Sequence, residues 1–268
     1  MLLREVEYAR PSSVAEAIRL LGEHEGARSL AGGQTLVNVM KARAASPDVL
    51  VDLNGLAELK GIELGADGTL EIGAMTTYTE IVESAEAKAR PILGEVCAQI
   101  ADVQVRNRGT IGGNVCSNDP TNHLPPLLVA VGAQFTVAGQ AGERVVSAEE
   151  FFLGVYLTAV GVGELLTKIT IPAGRRDGFA AVTIGADGTC IVNVAASLNG
   201  GGARVAIGCV DAVPVVLEPA STDESAVRDA VRGANLDPPA DVHASADYRR
   251  HLAEVLAVRA VQTAAERS

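Results

Sequence analysis

Two glycine pairs constrain the fold of this chain more than any other feature of its sequence. They lie in the segments Ala31-Gly32-Gly33-Gln34-Thr35 and Thr110-Ile111-Gly112-Gly113-Asn114. In both segments the glycines follow a small or apolar residue and precede a polar one. Glycine permits a positive φ and a close approach of the backbone to other atoms, so we expect two tight turns with accessible N–H groups.

Such turns can bind an anion. Consecutive N–H groups converge on anionic oxygens, and a helix beginning at Leu36 would add the partial positive charge of its amino terminus. Thr35 and Thr110 add hydroxyl groups, while Gln34 and Asn114 add amides. Neither segment matches G-x-G-x-x-G or G-x-x-x-x-G-K-[ST], so the Rossmann and Walker motifs are excluded. A tight turn without a ligand explains either pair taken alone, and the pattern does not identify the anion.

The charge of the chain limits its partners. The 268 residues carry a formal net charge of −11. Because an acidic surface repels phosphate backbones, we expect no nucleic-acid partner. Aromatic residues make up 3% of the chain and Trp is absent. A flat ligand must therefore be held mainly by backbone, aliphatic and polar groups.

The cysteines and the apolar runs indicate a soluble protein with reduced thiols. Cys97, Cys116, Cys190 and Cys209 form no C-x-x-C pair, and their spacing fits neither an iron–sulfur cluster nor a zinc site. We interpret them as buried thiols. The amino terminus lacks the apolar core of a signal peptide, and no run reaches the roughly 18 apolar residues that a membrane span needs. We therefore predict a cytoplasmic protein without a metal site.

The first of three sections runs from residue 1 to about 55. It predicts a short extended start and a helix that begins with a serine cap at Pro11-Ser12-Ser13-Val14 and ends near Gly22. The first glycine segment and a helix from Leu36 to about Arg43 follow. The run at 49–53 predicts a buried strand.

The second section, from about 56 to 172, predicts a mixed α/β structure. Strands at 61–64 and 70–73 are joined through Ala66-Asp67-Gly68-Thr69, a hairpin signal. The other predicted elements are a helix capped at Thr76-Thr77, helices at 92–100 and 127–131, and strands at 134–137 and 164–171.

The third section, 173–268, has a different pattern. Strand-like segments at 179–184, 190–198 and 203–210 are joined by Asp187-Gly188 and Gly200-Gly201-Gly202. This arrangement predicts a three-stranded antiparallel meander. The chain after Pro219 predicts helices, the last from Tyr248 to Ala265. The overall class is α+β.

Three motifs, taken in order, resemble a known family. They are Ala31-Gly32-Gly33-Gln34-Thr35-Leu36, Ile72-Gly73-Ala74-Met75-Thr76-Thr77 and Val105-Arg106-Asn107-Arg108-Gly109-Thr110-Ile111-Gly112-Gly113-Asn114. Together with a carboxy-terminal stretch at 241–252, they resemble the medium, FAD-binding subunit of molybdenum hydroxylases. This group contains carbon monoxide dehydrogenase and xanthine dehydrogenase.

The resemblance implies a fold and a division into domains. The fold is the FAD-binding PCMH type, similar to vanillyl-alcohol oxidase. An FAD-binding domain over 1–172 would contain two α/β subdomains, about 1–55 and 56–172. A smaller domain over 173–268, similar to the carboxy-terminal domain of carbon monoxide dehydrogenase flavoproteins, would consist of a three-stranded antiparallel sheet and helices.

The resemblance also implies which residues contact FAD. It assigns the pyrophosphate and the adjoining ribityl and ribose oxygens to the two glycine segments. Ile100 matches a position near the adenine end, Leu166 an apolar contact to the flavin ring, and Phe179 an aromatic position. It assigns no catalytic residue to this chain. The full set of implied contacts is Ala31, Gly32, Gly33, Gln34, Thr35, Leu36, Ile100, Thr110, Ile111, Gly112, Gly113, Asn114, His123, Leu166 and Phe179.

Two positions depart from the family pattern. Relatives usually have Asp-Pro-x-x-Asp-Leu-Pro after the second glycine segment, whereas this chain has His123 in place of the second acid, a common partner of a flavin hydroxyl. Histidine can still form a hydrogen bond, so we expect binding with an altered pH dependence, unless His123 is a surface loop residue. A lysine usual after the aromatic position is missing at Ala180. Since a cation near the flavin N1/C2 edge stabilises the anionic reduced form, we expect a lower reduction potential.

The implied function is electron transfer within an oxidoreductase complex. A large subunit with a molybdenum cofactor would oxidise the substrate, and [2Fe-2S] clusters of a small subunit would pass electrons to FAD. The FAD would then reduce an external acceptor: NAD, a quinone, oxygen or another carrier. A heterotrimer or its dimer is expected. Two alternatives stay open: a self-contained flavin oxidase or reductase of the same fold, and a scaffold subunit that has lost FAD.

Overall fold

Three sheets follow one another along the chain, and helices pack against them. The computed structural model describes residues 3–174, 176–185, 188–198 and 202–267. Three clusters of buried apolar side chains form the cores of the successive sections. The predicted α+β class is confirmed.

The first section contains a small parallel sheet. Its elements are β1 (Glu7–Ala9), α1 (Val14–Glu23), β2 (Ala27–Leu30), α2 (Leu36–Lys41) and β3 (Val49–Asp52). The strand order is β1-β3-β2, with both pairs parallel. The predicted cap is confirmed, because the Ser13 hydroxyl accepts a hydrogen bond from the Glu16 N–H at 3.2 Å. The central strand β3 is buried along its whole length, as is usual in a parallel sheet.

The middle section contains a five-stranded antiparallel sheet in the order β4-β5-β10-β6-β7. The strands are β4 (Ile62–Leu64), β5 (Leu70–Gly73), β6 (Gln134–Gly139), β7 (Gly142–Ser147), β8 (Phe152–Gly154), β9 (Leu157–Thr158) and β10 (Leu165–Ile171). The helices are α3 (Tyr78–Glu83), α4 (Ile92–Gln99), α5 (Val103–Arg106), α6 (Ile111–Ser117), α7 (Leu124–Ala130) and α8 (Ala148–Phe151). Strands β8 and β9 form a separate hairpin.

Several predictions for the middle section are confirmed, whereas the sequence analysis does not predict α5, α6, α8, β7, β8 and β9. Strands β4 and β5 pair antiparallel around the predicted turn, and Thr77 forms a capping box with Glu80 at the start of α3. Strand β7 escaped prediction because it is an edge strand with mostly exposed side chains. Helix α6 also escaped it, because glycine is a poor helix former and the Gly112-Gly113 pair indicates a turn. The second glycine segment is therefore the capped first turn of a helix.

The third section contains an antiparallel sheet in the order β11-β12-β13-β14. Its elements are β11 (Asp177–Ile184), β12 (Thr189–Ser197), β13 (Arg204–Gly208), β14 (Val215–Leu217), α9 (Glu224–Gly233) and α10 (Ala246–Glu266). The prediction of three strands is wrong, because the short strand β14 between Pro214 and Pro219 adds a fourth. Of the predicted connections, Asp187, Gly200 and Gly201 lie outside the described residues.

A buried ion pair joins the middle and third sections. Arg90 precedes α4 and Asp177 begins β11, and both side chains are 1% exposed. The guanidinium donates two hydrogen bonds to the carboxylate, each 2.8 Å long, and a third to the carbonyl of Pro172. This bidentate geometry compensates much of the cost of burying two charges.

Removal of one partner of this pair should be strongly destabilising. Asp177→Ala leaves the Arg90 charge buried without a counter-ion, so we expect a loss of about 3–5 kcal/mol in the free energy of unfolding. Urea denaturation followed by circular dichroism measures this loss. The control is Glu71→Ala, which breaks the half-exposed pair with Lys168 and should cost no more than about 1 kcal/mol. Equal losses of unfolding free energy in the two variants would contradict the conclusion that the Arg90–Asp177 pair is the more important one for stability.

Candidate cofactor-binding cleft

A cleft of about 710 Å³ lies between the first and middle sections, with Gly188 and Thr189 of the third section at its edge. Both glycine segments contribute to its wall. A second cavity, about 770 Å³, lies at the end of α7 and is lined by none of the predicted site residues. The predicted residues on the wall of the cleft are Ala31, Gly32, Gly33, Gln34, Thr35, Leu36, Ile100, Thr110, Gly113, Asn114 and His123.

The first glycine segment has the geometry of an anion-binding turn. Gly33 has a φ of +73°, which favours glycine. Within the part of the chain that the structure describes, no protein acceptor is bound by the backbone N–H groups of residues 32–35. The side chain of Asn54 donates to the carbonyl of Ala31 at 3.0 Å and holds the segment in place. These N–H groups are free to bind a ligand.

The second glycine segment does not present its N–H groups in this way. The N–H groups of Ile111 and Gly112 donate to carbonyls of Thr76 and Ala74, while those of Gly113 and Asn114 donate to Thr110. The expectation of two converging sets of N–H groups is thus not met. The reason is that the segment is a helical turn anchored on residues 74–76.

Two glycines are required by packing of the protein itself rather than by a ligand. A Cβ atom on Gly32 would lie 2.1 Å from the carbonyl oxygen of Arg108. A Cβ atom on Gly112 would lie 2.6 Å from the carbonyl oxygen of Ala74. Both distances are far below van der Waals contact. The first glycine segment therefore packs directly against the backbone that precedes the second one.

Asn114 brings an unsatisfied acceptor to the cleft. Its Oδ1 is buried and has no hydrogen-bond partner among the described residues. Burial raises the pKa of the neighbouring Tyr78 hydroxyl, and a hydrogen bond with the Asn114 side chain opposes this shift. Because a buried polar atom without a partner is costly, the Oδ1 is suited to accept a hydrogen bond from a ligand.

His123 is buried and not a surface loop residue. Its Nδ1 lies 3.0 Å from Nδ2 of Asn193, which also donates to the carbonyl of Asn122 at 3.0 Å. The contact with the carbonyl of Asn122 identifies this atom of Asn193 as the amide nitrogen, which can only donate. Nδ1 of His123 is therefore the acceptor of the other hydrogen bond. The neutral ring then carries its proton on Nε2. Burial lowers the pKa of His123 to about 4.

Four predicted contacts lie outside the cleft wall. Ile111, Gly112 and Leu166 are buried, and Leu166 packs in the core of the middle section. The ring of Phe179 lies 5.3 Å from that of His123 in an edge contact. Phe179 therefore packs against His123, a residue of the cleft wall, without lining the cleft itself.

The structure corrects the expectation for Ala180. Along β11 side chains alternate between two faces. Phe179 packs against the core of the middle section, whereas Ala180 packs against the core beneath α10. A lysine at position 180 would point away from the cleft, so we no longer expect its absence to lower the reduction potential. The next residue on the face of Phe179 is Ala181, which pairs with Asn193.

Other residues of the cleft wall were missed by the sequence analysis. Arg28 is the one cationic side chain among the described residues of the wall. Tyr78, Asp119 and Tyr156 also line it. A basic residue just before a glycine segment was a usable signal for Arg28. Tyr156 had none, because the hairpin that carries it comes to the cleft only in the folded chain.

Comparisons with known proteins show which family the chain is similar to. Residues 4–174 match the family model described as the FAD binding domain in molybdopterin dehydrogenase. The chain is 37% identical to the carbon monoxide dehydrogenase medium chain of Afipia carboxidovorans, with 100% of this chain and 99% of that one covered. It is 32% identical to the glyceraldehyde dehydrogenase medium chain of Sulfolobus acidocaldarius, with 97% and 99% covered.

Solved structures extend the likeness to the whole fold. Reconstituted carbon monoxide dehydrogenase from Oligotropha carboxidovorans contains a chain that matches with a TM-score of 0.92 and 35% identity, covering 100% of both chains. A chain of quinoline 2-oxidoreductase from Pseudomonas putida 86 matches with a TM-score of 0.90 and 33% identity, covering 99% of both.

The chain therefore belongs to the family of FAD-binding medium subunits of molybdenum hydroxylases. It is the FAD-binding, electron-transfer subunit of an oxidoreductase complex. Within the described residues, no helix is long and apolar enough to cross a membrane.

Substitution of Gly33 should weaken FAD binding selectively. Gly33→Ala strains the positive φ and disturbs the turn whose N–H groups are free, so we expect at least tenfold weaker binding, about 1.4 kcal/mol or more. Flavin fluorescence titration of the apoprotein measures it. Gly61→Ala is the matched control, because Gly61 also has a positive φ, no atom lies within 4 Å of its added Cβ, and it lies off the cleft wall. Equal FAD affinities of the two variants would contradict the assignment of the first glycine segment to the FAD site.

The buried His123 should make the stability of the chain fall in acid. Its pKa is about 4 in the folded state and about 6.5 in the unfolded state. Between these values the unfolded state binds more protons, so stability falls as the pH falls through this window, by up to about 3 kcal/mol. Urea denaturation at several pH values measures the effect. His123→Gln should lose less stability than the wild type, and parallel pH profiles would show that His123 does not titrate in this way.

Proposed function

We propose that this chain binds FAD in the cleft with the pyrophosphate on the first glycine segment. The observation that carries the proposal is the row of backbone N–H groups at residues 32–35, which have no acceptor among the described residues. Helix α2 begins directly after this row. A pyrophosphate supplies the acceptors that such a row requires.

The remaining polar groups of the wall suit the rest of the cofactor. Asn114 Oδ1 accepts a hydrogen bond from an N–H or hydroxyl group of the ligand, and His123 Nε2 donates one to a hydroxyl oxygen. Arg28 adds a positive charge on a wall that otherwise bears only Asp119 among its described charged residues. Ile100 and Ala101 provide an apolar part of the cleft wall. Arg106 donates to both of their carbonyls and so fixes the backbone there.

FAD held by these residues would supply electron transfer from the iron–sulfur clusters of the small subunit to an external acceptor. The side chains of the cleft bind and orient the cofactor and exclude water from it. No step requires an acid or a base of this chain, which is consistent with the low pKa of His123. We further propose a cytoplasmic location, and domains over 1–172 and 173–268, since the three sheets fall within these ranges.

The sequence of this chain does not specify the substrate of the complex, because the substrate would bind to the large subunit. Similar chains belong to enzymes named for carbon monoxide, glyceraldehyde and nicotine. Substrate chemistry therefore varies while the medium subunit keeps its fold. We propose the heterotrimer, or its dimer, as the assembly.

An absorption spectrum of the complex tests this function. The chain purified with its co-expressed neighbours should show flavin bands together with iron–sulfur absorption, with one FAD per chain. Flavin without iron–sulfur absorption, accompanied by turnover, would favour a self-contained flavoenzyme. A complex without flavin would favour a scaffold subunit and would overturn the proposal.

A further inference from the structure

The carboxyl ends of strands β2 and β3 meet beside the first glycine segment. The two strands are parallel, and their register pairs Leu30, the last residue of β2, with Asp52, the last residue of β3. The N–H of Leu53 then donates to the carbonyl of Leu30 at 3.0 Å. Ligands of open parallel sheets bind outside the carboxyl ends of the strands. The residues that end β3 and those that follow β2 can therefore act on the same ligand.

Asp52 is a buried carboxylate at this edge of the sheet. It is 7% exposed, and the Tyr8 hydroxyl donates to its Oδ2. Its Oδ1 accepts two hydrogen bonds from Asn54, one from the backbone N–H at 2.9 Å and one from Nδ2 at 2.6 Å. Burial raises the pKa of Asp52, but these hydrogen bonds and the charge of Arg10 outweigh burial and hold the pKa below its ordinary value. The carboxylate is therefore ionised at neutral pH and only accepts hydrogen bonds.

Asn54 links Asp52 to the first glycine segment. Its Nδ2 also donates to the carbonyl of Ala31, at 3.0 Å. An amide nitrogen carries two hydrogen atoms, so one is bound by Asp52 and the other by Ala31. Because a hydrogen bond to a charged acceptor is about twice as strong as one between neutral groups, the bond to Asp52 fixes the direction of the second donor. Asn54 does not line the cleft and so acts from behind the segment.

The carbonyl of Ala31 determines the direction of the next N–H group. The peptide bond between Ala31 and Gly32 is trans, and in a trans peptide the C=O and the N–H point in opposite directions. Because Asn54 binds the carbonyl, the N–H of Gly32 points away from Asn54. Gly32 lines the cleft, and its N–H has no acceptor among the described residues. This N–H is the first of the row at residues 32–35.

We propose that Asp52 is a positioning residue of the FAD site, which acts through Asn54 to orient the N–H of Gly32 toward the pyrophosphate. The inference rests on the proposed function, in which the pyrophosphate lies on the first glycine segment. Asp52 does not line the cleft and reaches the segment through two successive hydrogen bonds. A donor that is oriented before the ligand arrives loses little freedom on binding, so the fixed geometry favours a high affinity.

Removal of the carboxylate should weaken FAD binding and change the surroundings of the pyrophosphate. For Asp52→Ala in the full chain, we expect binding to be about fivefold weaker or more in a flavin fluorescence titration of the apoprotein. At saturating FAD, the phosphorus NMR resonances of the bound pyrophosphate should move from their wild-type positions, while the absorption bands of the flavin ring stay in place. A role of Asp52 in stability alone would lower the free energy of unfolding without moving these resonances.

Asp67→Ala is the matched control. The Asp67 carboxylate also accepts the N–H of the residue two positions further on, Thr69, at 3.0 Å, but it lies in the turn between β4 and β5 and off the cleft wall. This variant should leave the FAD affinity and the phosphorus resonances unchanged. Asn54→Ala removes the link itself and should reproduce both effects of Asp52→Ala. The double variant should bind FAD no more weakly than the weaker-binding single variant, because both residues act on the same carbonyl.

The outcomes separate this inference from the proposed function. A wild-type chain that does not bind FAD, or whose phosphorus resonances do not respond to Gly33→Ala, would overturn the proposed function. If the wild type meets both conditions, unmoved resonances or unchanged affinity in Asp52→Ala, or additive losses of affinity in the double variant, would overturn the positioning role alone. If Asp52→Ala does not fold, Asn54→Ala carries the same test, because Asn54 is a half-buried residue after the end of β3. Unchanged affinity in that variant would also overturn the positioning role.

Discussion

The structure depends on close backbone contacts made by one glycine of each glycine segment. Gly32 lies so close to the carbonyl of Arg108 that any side chain would collide with it, and Gly112 has the same relation to Ala74. The first contact joins the first section to the middle section beside the cleft, and the second fixes the second glycine segment within the middle section. These two glycines therefore act mainly by letting two stretches of backbone pack closely against each other. Gly33 is the glycine of the two segments with a positive φ, and it lies in the run of residues 32–35 whose N–H groups have no protein acceptor among the described residues.

The cleft solves an electrostatic problem set by the composition. A chain with a net charge of −11 repels a doubly charged pyrophosphate at long range. In the proposed site the stabilisation must therefore be local, and the backbone N–H groups of residues 32–35, directly before α2, would supply it. Arg28 adds one positive charge to the wall of the cleft. The buried charge of Arg90 is likewise stabilised locally, by its ion pair with Asp177.

The third section reaches the cofactor site through a chain of contacts. Asn193 on β12 fixes the tautomer of His123, and Phe179 on β11 packs against the same ring. Replacement of an acid by His123 therefore involves residues that lie far away in the sequence. The cost is a pKa of His123 that burial lowers, and with it an expected loss of stability in acid.

The sequence by itself determined the α+β class, most helices and strands, the serine and threonine caps, and the two glycine segments that contribute to the wall of the cleft. These features are local: an apolar period, a cap or a glycine pair is readable from adjacent residues. Tertiary structure decided that the second glycine segment is a helical turn with occupied N–H groups, that Ala180 faces away from the cleft, and that Tyr156, between β8 and β9, lines the cleft. Each of these depends on partners distant in sequence, such as Ala74, α10 and Asn118, and no local pattern specifies which atoms will meet.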